Sequence, residues 1–444
     1  MKHGRDGKEF AGAVGSVRVA LIGAGGDGLG TWPDGRAVYV AFTLPGELVE
    51  VRAVGKRGEE LAGEAVAIVE ASPDRVAPLC RHFGSCGGCS VQHWDGQKYR
   101  EWKAGLLGAA LRRAGFGEVA LASFVAAEAG ARRRADLAIR RVGGSIVLGL
   151  HRAQSAEVIG LVECPVLHPD LARLLGPLRT CLARLEGLRR VGSAVVNLLD
   201  SGADFLLYTD AALTAADRTI LADFARAQAM PRISWAPAAG ARNDHDGAEP
   251  VAALRPARTR LSDAEVVAPP GAFLQASAAG EAAIVAAVLA GLPERLPARA
   301  QVAELYAGCG SLTFALARQV RVAAFEGDAP AVAALRTAAG QAGLGGRITI
   351  TQQDLARRPV LAEEFARFAA IVLDPPFAGA AAQIAQIAAS AVRRVIYVSC
   401  NPATLARDAA VLRAAGFMVL AATPIDLFLW SARLESVVVF ARGK

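Results

Sequence analysis

The spacing of hydrophobic positions changes twice along this 444-residue chain. Up to residue 70 the apolar residues come in short β-branched runs broken by glycines: Val17-Arg18-Val19, Ala37 to Phe42, Leu48 to Val51 and Ala65 to Val69. Short alternating runs between turn residues predict a small OB-like β-barrel. Gly25-Gly26-Asp27-Gly28 and Leu44-Pro45-Gly46-Glu47 fit its connecting loops. From 71 to 261 strand-like and helix-like segments mix, as expected of an α+β region, with polar residues 236–250 forming a surface loop. From 262 to 444 buried strands alternate with alanine-rich helices, the pattern of a doubly wound α/β domain.

In that third region five strands are expected, at Gln301 to Tyr306, Val322 to Glu326, Ile348 to Ile350, Ala370 to Asp374 and Val395 to Ser399. Their carboxyl ends form the sheet edge where such folds place ligands. The first strand runs into Glu304-Leu305-Tyr306-Ala307-Gly308-Cys309-Gly310-Ser311, a loop in which Gly308 and Gly310 let the backbone approach a bound molecule before a helix begins. Glu326 stands where a carboxylate binds ribose hydroxyls, and Asp354 follows the third strand near an adenine edge. No P-loop lysine follows the glycines, so a nucleoside rather than a phosphate run is the expected ligand. A Rossmann-like methyltransferase and an NAD-type domain both fit this segment.

Composition narrows the setting. No apolar run approaches the roughly 18 residues of a membrane span, and Met1-Lys2-His3-Gly4-Arg5-Asp6 is not followed by an apolar leader core, so a cytoplasmic monomer without membrane contact is expected. A formal charge of +7 favours a polyanionic partner. Arg132, Arg133 and Arg134, with Arg140 and Arg141, concentrate that charge in one segment that is expected to touch RNA.

Seven cysteines without a secretory signal point to metal or catalysis rather than disulfides. Cys80, Cys86 and Cys89 lie within ten residues among glycines, and Cys164 precedes a proline. Four thiolates suit zinc or an iron–sulfur cluster, with His82 and His93 as possible zinc substitutes. Cys181 fits helix packing. Cys400 closes a strand in Ser399-Cys400-Asn401-Pro402, ahead of a helix whose dipole is expected to lower the thiol pKa and favour a nucleophile over a packed core residue.

The Asp374-Pro375-Pro376 and Ser399-Cys400-Asn401-Pro402-Ala403-Thr404-Leu405-Ala406-Arg407-Asp408 motifs, taken with the cysteine cluster, resemble the RNA uracil-5-methyltransferase family, in particular its iron–sulfur, TRAM-domain branch acting on 23S ribosomal RNA. The resemblance covers nearly the whole chain. It implies S-adenosylmethionine as cofactor, bound by Gln275, Glu304, Tyr306, Gly308, Gly310, Glu326, Asp354 and Asp374, and a [4Fe–4S] cluster on Cys80, Cys86, Cys89 and Cys164. It further implies Cys400 as the thiolate that adds to uracil carbon 6, Asp374 as acceptor of the ring N–H, Glu435 as the base that removes the carbon-5 proton, and Phe273 beside the target. Without it, Glu435 reads as a solvated carboxylate and Phe273 as core. Four positions depart from the family pattern: Phe377 where arginine usually follows Asp-Pro-Pro, Ser277 for asparagine, Ala338 for a helix asparagine, and Arg433 for a histidine two residues before the base. Two alternatives stay open, the same reaction on transfer RNA and a non-catalytic iron–sulfur RNA-binding protein.

Overall fold

The computed structural model describes residues 12–238 and 247–443. The first five strands, β1 (Val14–Ile22), β2 (Gly28–Thr31), β3 (Ala37–Val40), β4 (Leu48–Arg57) and β5 (Glu60–Glu70), close into a barrel in the order β1-β2-β3-β5-β4. Alternation sets its interior: Val17, Val19, Val38, Val40, Val49 and Val51 all point inward and are buried. Strand β2, Gly28-Leu29-Gly30-Thr31, was hidden in the sequence because its glycines read as turn. The barrel is pinned to the next segment by the buried Glu47 carboxylate. It accepts from the Leu44 and Ser72 amides and from Arg75 Nε at 2.6 Å.

The next segment begins with α1 (Gly96–Arg113), followed by β6 (Arg134–Val142), β7 (Ser145–His151), β8 (Val158–Gly160), α2 (Pro169–Ala172) and α3 (Leu175–Ala183). Then come β9 (Val191–Leu199), β10 (Gly202–Thr209), α4 (Ala215–Ala227), β11 (Arg232–Pro237) and β12 (Glu249–Ala253). Their strands make one sheet in the order β12-β11-β10-β9-β6-β7-β8, with α2, α3 and α4 contributing to its leucine-rich core and Cys181 buried there. The surface loop expected at 236–250 lies largely outside the described residues, and its two ends belong to β11 and β12.

Two features bear on the expected boundary at 261/262. That boundary falls at the turn of a hairpin, β13 (Arg258–Leu261) with β14 (Ala264–Val267), whose Leu261, Ala264 and Val266 are buried in the core of the last region. Helix α1 also leaves its sequence neighbours: Leu106, Leu107 and Leu111 are buried in the core of the last region. Apolar surface goes to whichever face is open, and nothing local in the sequence records which face that is.

The last region adds α5 (Ala278–Ala290), β15 (Gln301–Leu305), α6 (Ser311–Gln319), β16 (Arg321–Glu326), α7 (Ala329–Gln341), β17 (Ile348–Gln352), β18 (Ala370–Leu373) and α8 (Ala381–Ala389). It closes with β19 (Arg394–Ser399), α9 (Pro402–Ala414), β20 (Met418–Ile425) and β21 (Glu435–Ala441). The sheet order is β17-β16-β15-β18-β19-β21-β20. The five expected strands are parallel, and β21 inserts antiparallel between β19 and β20. Helices α5, α6 and α7 share one core face, and α1, α8 and α9 share the other. The order reverses between β15 and β18, so the crevice at their carboxyl ends is the switch point where ligands bind in this architecture. No helix among the described residues is long and apolar enough to cross a membrane.

Candidate active site

The loop after β15 is held by its own backbone demands. Gly310 caps α6 at φ 106°, and a Cβ there would lie 2.6 Å from both Leu335 and Phe314. Tyr306 takes φ 65°, a strained value for a bulky residue, while the space that a Cβ on Gly308 would enter is open. Glu326 reaches back from the end of β16, accepting from the Gly308 amide at 2.7 Å with one oxygen and from the Asp328 amide at 2.7 Å with the other. Glu304 lies beneath the loop. Burial pushes its carboxyl up to about 8, opposed by Thr313 and aided by Asp374 and Glu326, and its Oε2 has no hydrogen-bond partner. Asp354 is exposed and caps the following turn through the Ala356 and Arg357 amides. Cys309 is packed into the core.

Three strand ends bring the chemical groups together. Cys400 leaves β19, Asp374 leaves β18 and Glu435 begins β21, which pairs Ser436 with Ser399. Register therefore puts the carboxylate of the antiparallel strand opposite the end of the cysteine strand. Glu435 is 3% exposed, not solvated, and its Oε1 has no partner. Burial, then Asp374, pushes its carboxyl well above the usual carboxylate range. Burial likewise lifts Asp374 to about 7, against a hydrogen bond from Gln275 Nε2 at 3.0 Å.

The Cys400 thiol corrects an expectation. It is half-buried directly before Asn401, the N-cap of α9, yet burial pushes it up to about 12, with Glu435 and Asp374 adding and Arg433 opposing. The thiol is therefore protonated in the free enzyme.

The arginine segment is engaged within the fold. Arg133 donates to the Gln275 carbonyl and pairs with Glu281 of α5, tying β6 to the loop that carries Gln275. Arg134 donates to the Ala272 carbonyl at 2.8 Å, and Arg132 to the Arg134 carbonyl at 2.9 Å. Arg141 spends its guanidinium on the Leu182, Ala183, Leu185 and Leu188 carbonyls around the end of α3. These are scaffold bonds, because a partly buried guanidinium must satisfy its five donors inside the protein. Phe273, by contrast, is 68% exposed, with the Arg134 guanidinium 5.6 Å from its ring. It is not a core residue.

The departures find physical explanations. Ser277 is the N-cap of α5, accepting from the Gly280 amide, a task serine and asparagine share. Ala338 is buried in the core face of α7. Phe377 and Arg433 stack on each other, the guanidinium carbon 5.0 Å from the ring centroid.

Sequence reasoning missed the frame that holds Glu435. The loop from Asp426 to Leu434 is tied to α1 by a buried network: Lys103 Nζ bonds Asp426 at 2.5 Å and the Phe428 carbonyl at 2.7 Å, and Tyr99 Oη donates to Asp426 at 2.6 Å and accepts from the Trp430 amide. The Trp430 carbonyl in turn accepts from the Ser90 and Val91 amides beside Cys89. Trp430 sits at φ 59°, a conformation only such a frame would sustain. Lysine and tyrosine at i and i+4 in a helix are too common to signal this in advance. Asp408, inside the cysteine motif, is also structural, accepting from Tyr397 Oη and the Ala380 amide.

Cys80, Cys86, Cys89 and Cys164 lie near one another beside β7 and β8. Gly87 allows the approach, since a Cβ there would meet the His151 carbonyl at 2.7 Å. Burial first, then Cys164, Cys86 and Cys80, push the Cys89 thiol up to about 12. Among the described residues no three His, Cys, Asp or Glu side chains form a site for a single metal ion. His82 Nε2 accepts from the Val162 amide, and His93 is sealed against Phe42 and Phe83.

Comparison with known proteins bears on this arrangement. The profile of the family described as tRNA (Uracil-5-)-methyltransferase matches residues 270–443. An uncharacterized RNA methyltransferase of Brucella suis is 38% identical over 97% of this chain and 99% of its own length. The 23S rRNA (uracil(1939)-C(5))-methyltransferase RlmD of Erwinia tasmaniensis is 33% identical over 96% of each chain. Among solved structures, the Pyrococcus abyssi tRNA (uracil-54, C5)-methyltransferase in complex with S-adenosyl-L-homocysteine shares the fold, with a TM-score of 0.72 at 21% identity over 95% of this chain and 99% of that one.

Proposed function

This chain belongs to the RNA uracil-5-methyltransferases that use S-adenosylmethionine, and from that premise we propose that it makes 5-methyluridine in 23S ribosomal RNA through a covalent adduct on Cys400. The observation that carries the mechanism is the convergence of Cys400, Asp374 and Glu435 from three strands, close enough for each acid to raise the thiol's proton affinity.

The residues at the crevice fit the cofactor. Glu304 keeps an unpartnered buried oxygen, Glu326 lines the Gly308 amide, and the space over Gly308 is open. When bound, S-adenosylmethionine supplies an electrophilic methyl group. The protein must supply the nucleophile, because carbon 5 of uracil is too weak to attack alone. The Cys400 thiol gives its proton to an ionised Glu435, which releases it to solvent, as sulfur bonds to carbon 6 and the ring electrons move onto the enolate. Asp374, kept in place by Gln275, accepts the ring N–H when ionised. After carbon 5 is methylated, Glu435 takes its proton, the carbon–sulfur bond breaks and the thiolate leaves. A base in a dry site with raised proton affinity suits that step.

The four clustered cysteines would hold a [4Fe–4S] cluster. The four thiols are near enough to raise one another's proton affinity, and such a set suits an iron–sulfur cluster as well as zinc; the family resemblance favours the cluster. The cluster region lies on the frame behind Trp430, so its role is structural.

The full-length match to RlmD supports the ribosomal target. The description of the matching family supports transfer RNA as the second reading. Transcripts of each containing 5-fluorouridine, incubated with S-adenosylmethionine, test both. The expected product is a stable adduct mapping to Cys400 with the 23S transcript. An adduct only with transfer RNA reverses the target, and no adduct with either removes the mechanism.

A further inference from the structure

Among the described residues, Arg433 differs from the other arginines near Cys400 in that its guanidinium has no hydrogen-bonded or ion-paired partner. Arg132, Arg133 and Arg134 spend donors on carbonyls or on Glu281, and Arg407 is paired with Asp408 and the Ala378 carbonyl. The Arg433 side chain is exposed, and among the described residues its guanidinium makes no hydrogen bond or ion pair. It is nevertheless steadied, lying over the Phe377 ring at 5.0 Å. Phe377 is itself half-exposed, and its carbonyl accepts from Asn401 Nδ2 at 3.0 Å. The platform is thus tied to the residue after the nucleophile, and the cation is close enough to Cys400 to oppose the acids around it.

A guanidinium with open donors, exposed two residues before the buried Glu435 and within electrostatic reach of Cys400, is set to meet an anion arriving from solvent. On an RNA substrate that anion is the backbone. We propose that Arg433, seated on Phe377, receives the phosphate next to the target uridine and so positions the base over Cys400. The inference rests on the assignment of Cys400 to the reacting uracil. Because residues 377 and 433 face each other across the stack, an arginine at either position can present its fork to the same place.

The test measures KM and kcat at several salt concentrations on whichever unmodified transcript, 23S or transfer RNA, the wild-type enzyme methylates. R433A should raise KM for RNA roughly tenfold with a smaller change in kcat, and the slope of log KM against log salt should fall by about 0.7–0.9, the signature of one lost phosphate contact. R433F should behave alike, and the exchange variant F377R/R433F should recover most of the lost affinity and the slope. Unchanged KM and slope in R433A, or an exchange variant no better than R433F, overturns the proposal. C400A is run alongside: methylation by C400A would mean the pocket assignment has failed rather than the phosphate contact alone.

Discussion

Replacing Asp374 with asparagine should make the free enzyme more stable and inactive at once. Its carboxyl moves from 3.8 to about 7 on folding because burial disfavours the charged form. Below about pH 4 both states are protonated. Between about 4 and 7 the unfolded chain ionises while the folded one holds its proton, so stability falls by about 1.4 kcal/mol for each pH unit. Above 7 the loss is complete, about 4 kcal/mol in full and about 2 kcal/mol once water at the partly exposed carboxylate screens half of it. Asparagine keeps an oxygen for the Gln275 amide and carries no charge. At pH 8, D374N should therefore melt about 4–8 °C above wild type, given about 2–4 °C per kcal/mol for a unit of this size. Below about pH 4 the two should coincide, and methylation at pH 8 should drop on the order of 100-fold or more. Thermal melts followed by circular dichroism across that range read the effect. A D374N enzyme less stable at pH 8, or a difference that does not change with pH, would refute the claim that the carboxylate is held there against its solvation.

Other outcomes follow from the same structure. With its thiol at about 12, Cys400 exposes about one thiolate in 10⁵ at pH 7. Iodoacetamide labelling at that residue should rise tenfold per pH unit up to at least pH 9, and a plateau below pH 8 would mean an activated thiol. Lys103→Met strands Asp426 in the interior and should cost about 3–5 kcal/mol in urea denaturation. Gly310→Ala forces a side chain into Leu335 and Phe314 at φ 106°, and calorimetry should find S-adenosylmethionine binding weakened at least roughly tenfold. Arg133→Met should lower the melting temperature by unpairing Glu281 and leave the salt slope of RNA binding unchanged, in contrast to Arg433.

Local pattern was enough for much of this protein. Period-two valines fixed the barrel interior, and alternating apolar strands and alanine helices fixed the parallel part of the catalytic sheet, because burial on one or both faces imposes those periods. The places of Glu304, Glu326 and Asp374 near the carboxyl ends of β15, β16 and β18 were legible from the strand pattern, because strand ends in such sheets converge on one crevice. Packing across long separations was not legible. The antiparallel β21 carries Glu435 to Cys400, which lies thirty-five residues earlier in the chain, and only the sheet register turns an apparently solvated acid into a buried one. The helix start after Cys400 was readable from Asn401-Pro402, but the acids that raise the thiol, Asp374 and Glu435, come from the ends of β18 and β21. Arginine count suggested an RNA-binding patch at 132–134, while tertiary contacts spend those side chains on carbonyls and on Glu281 and leave Arg433 free. Charge is written in the sequence, but whether it faces solvent is decided by what packs around it.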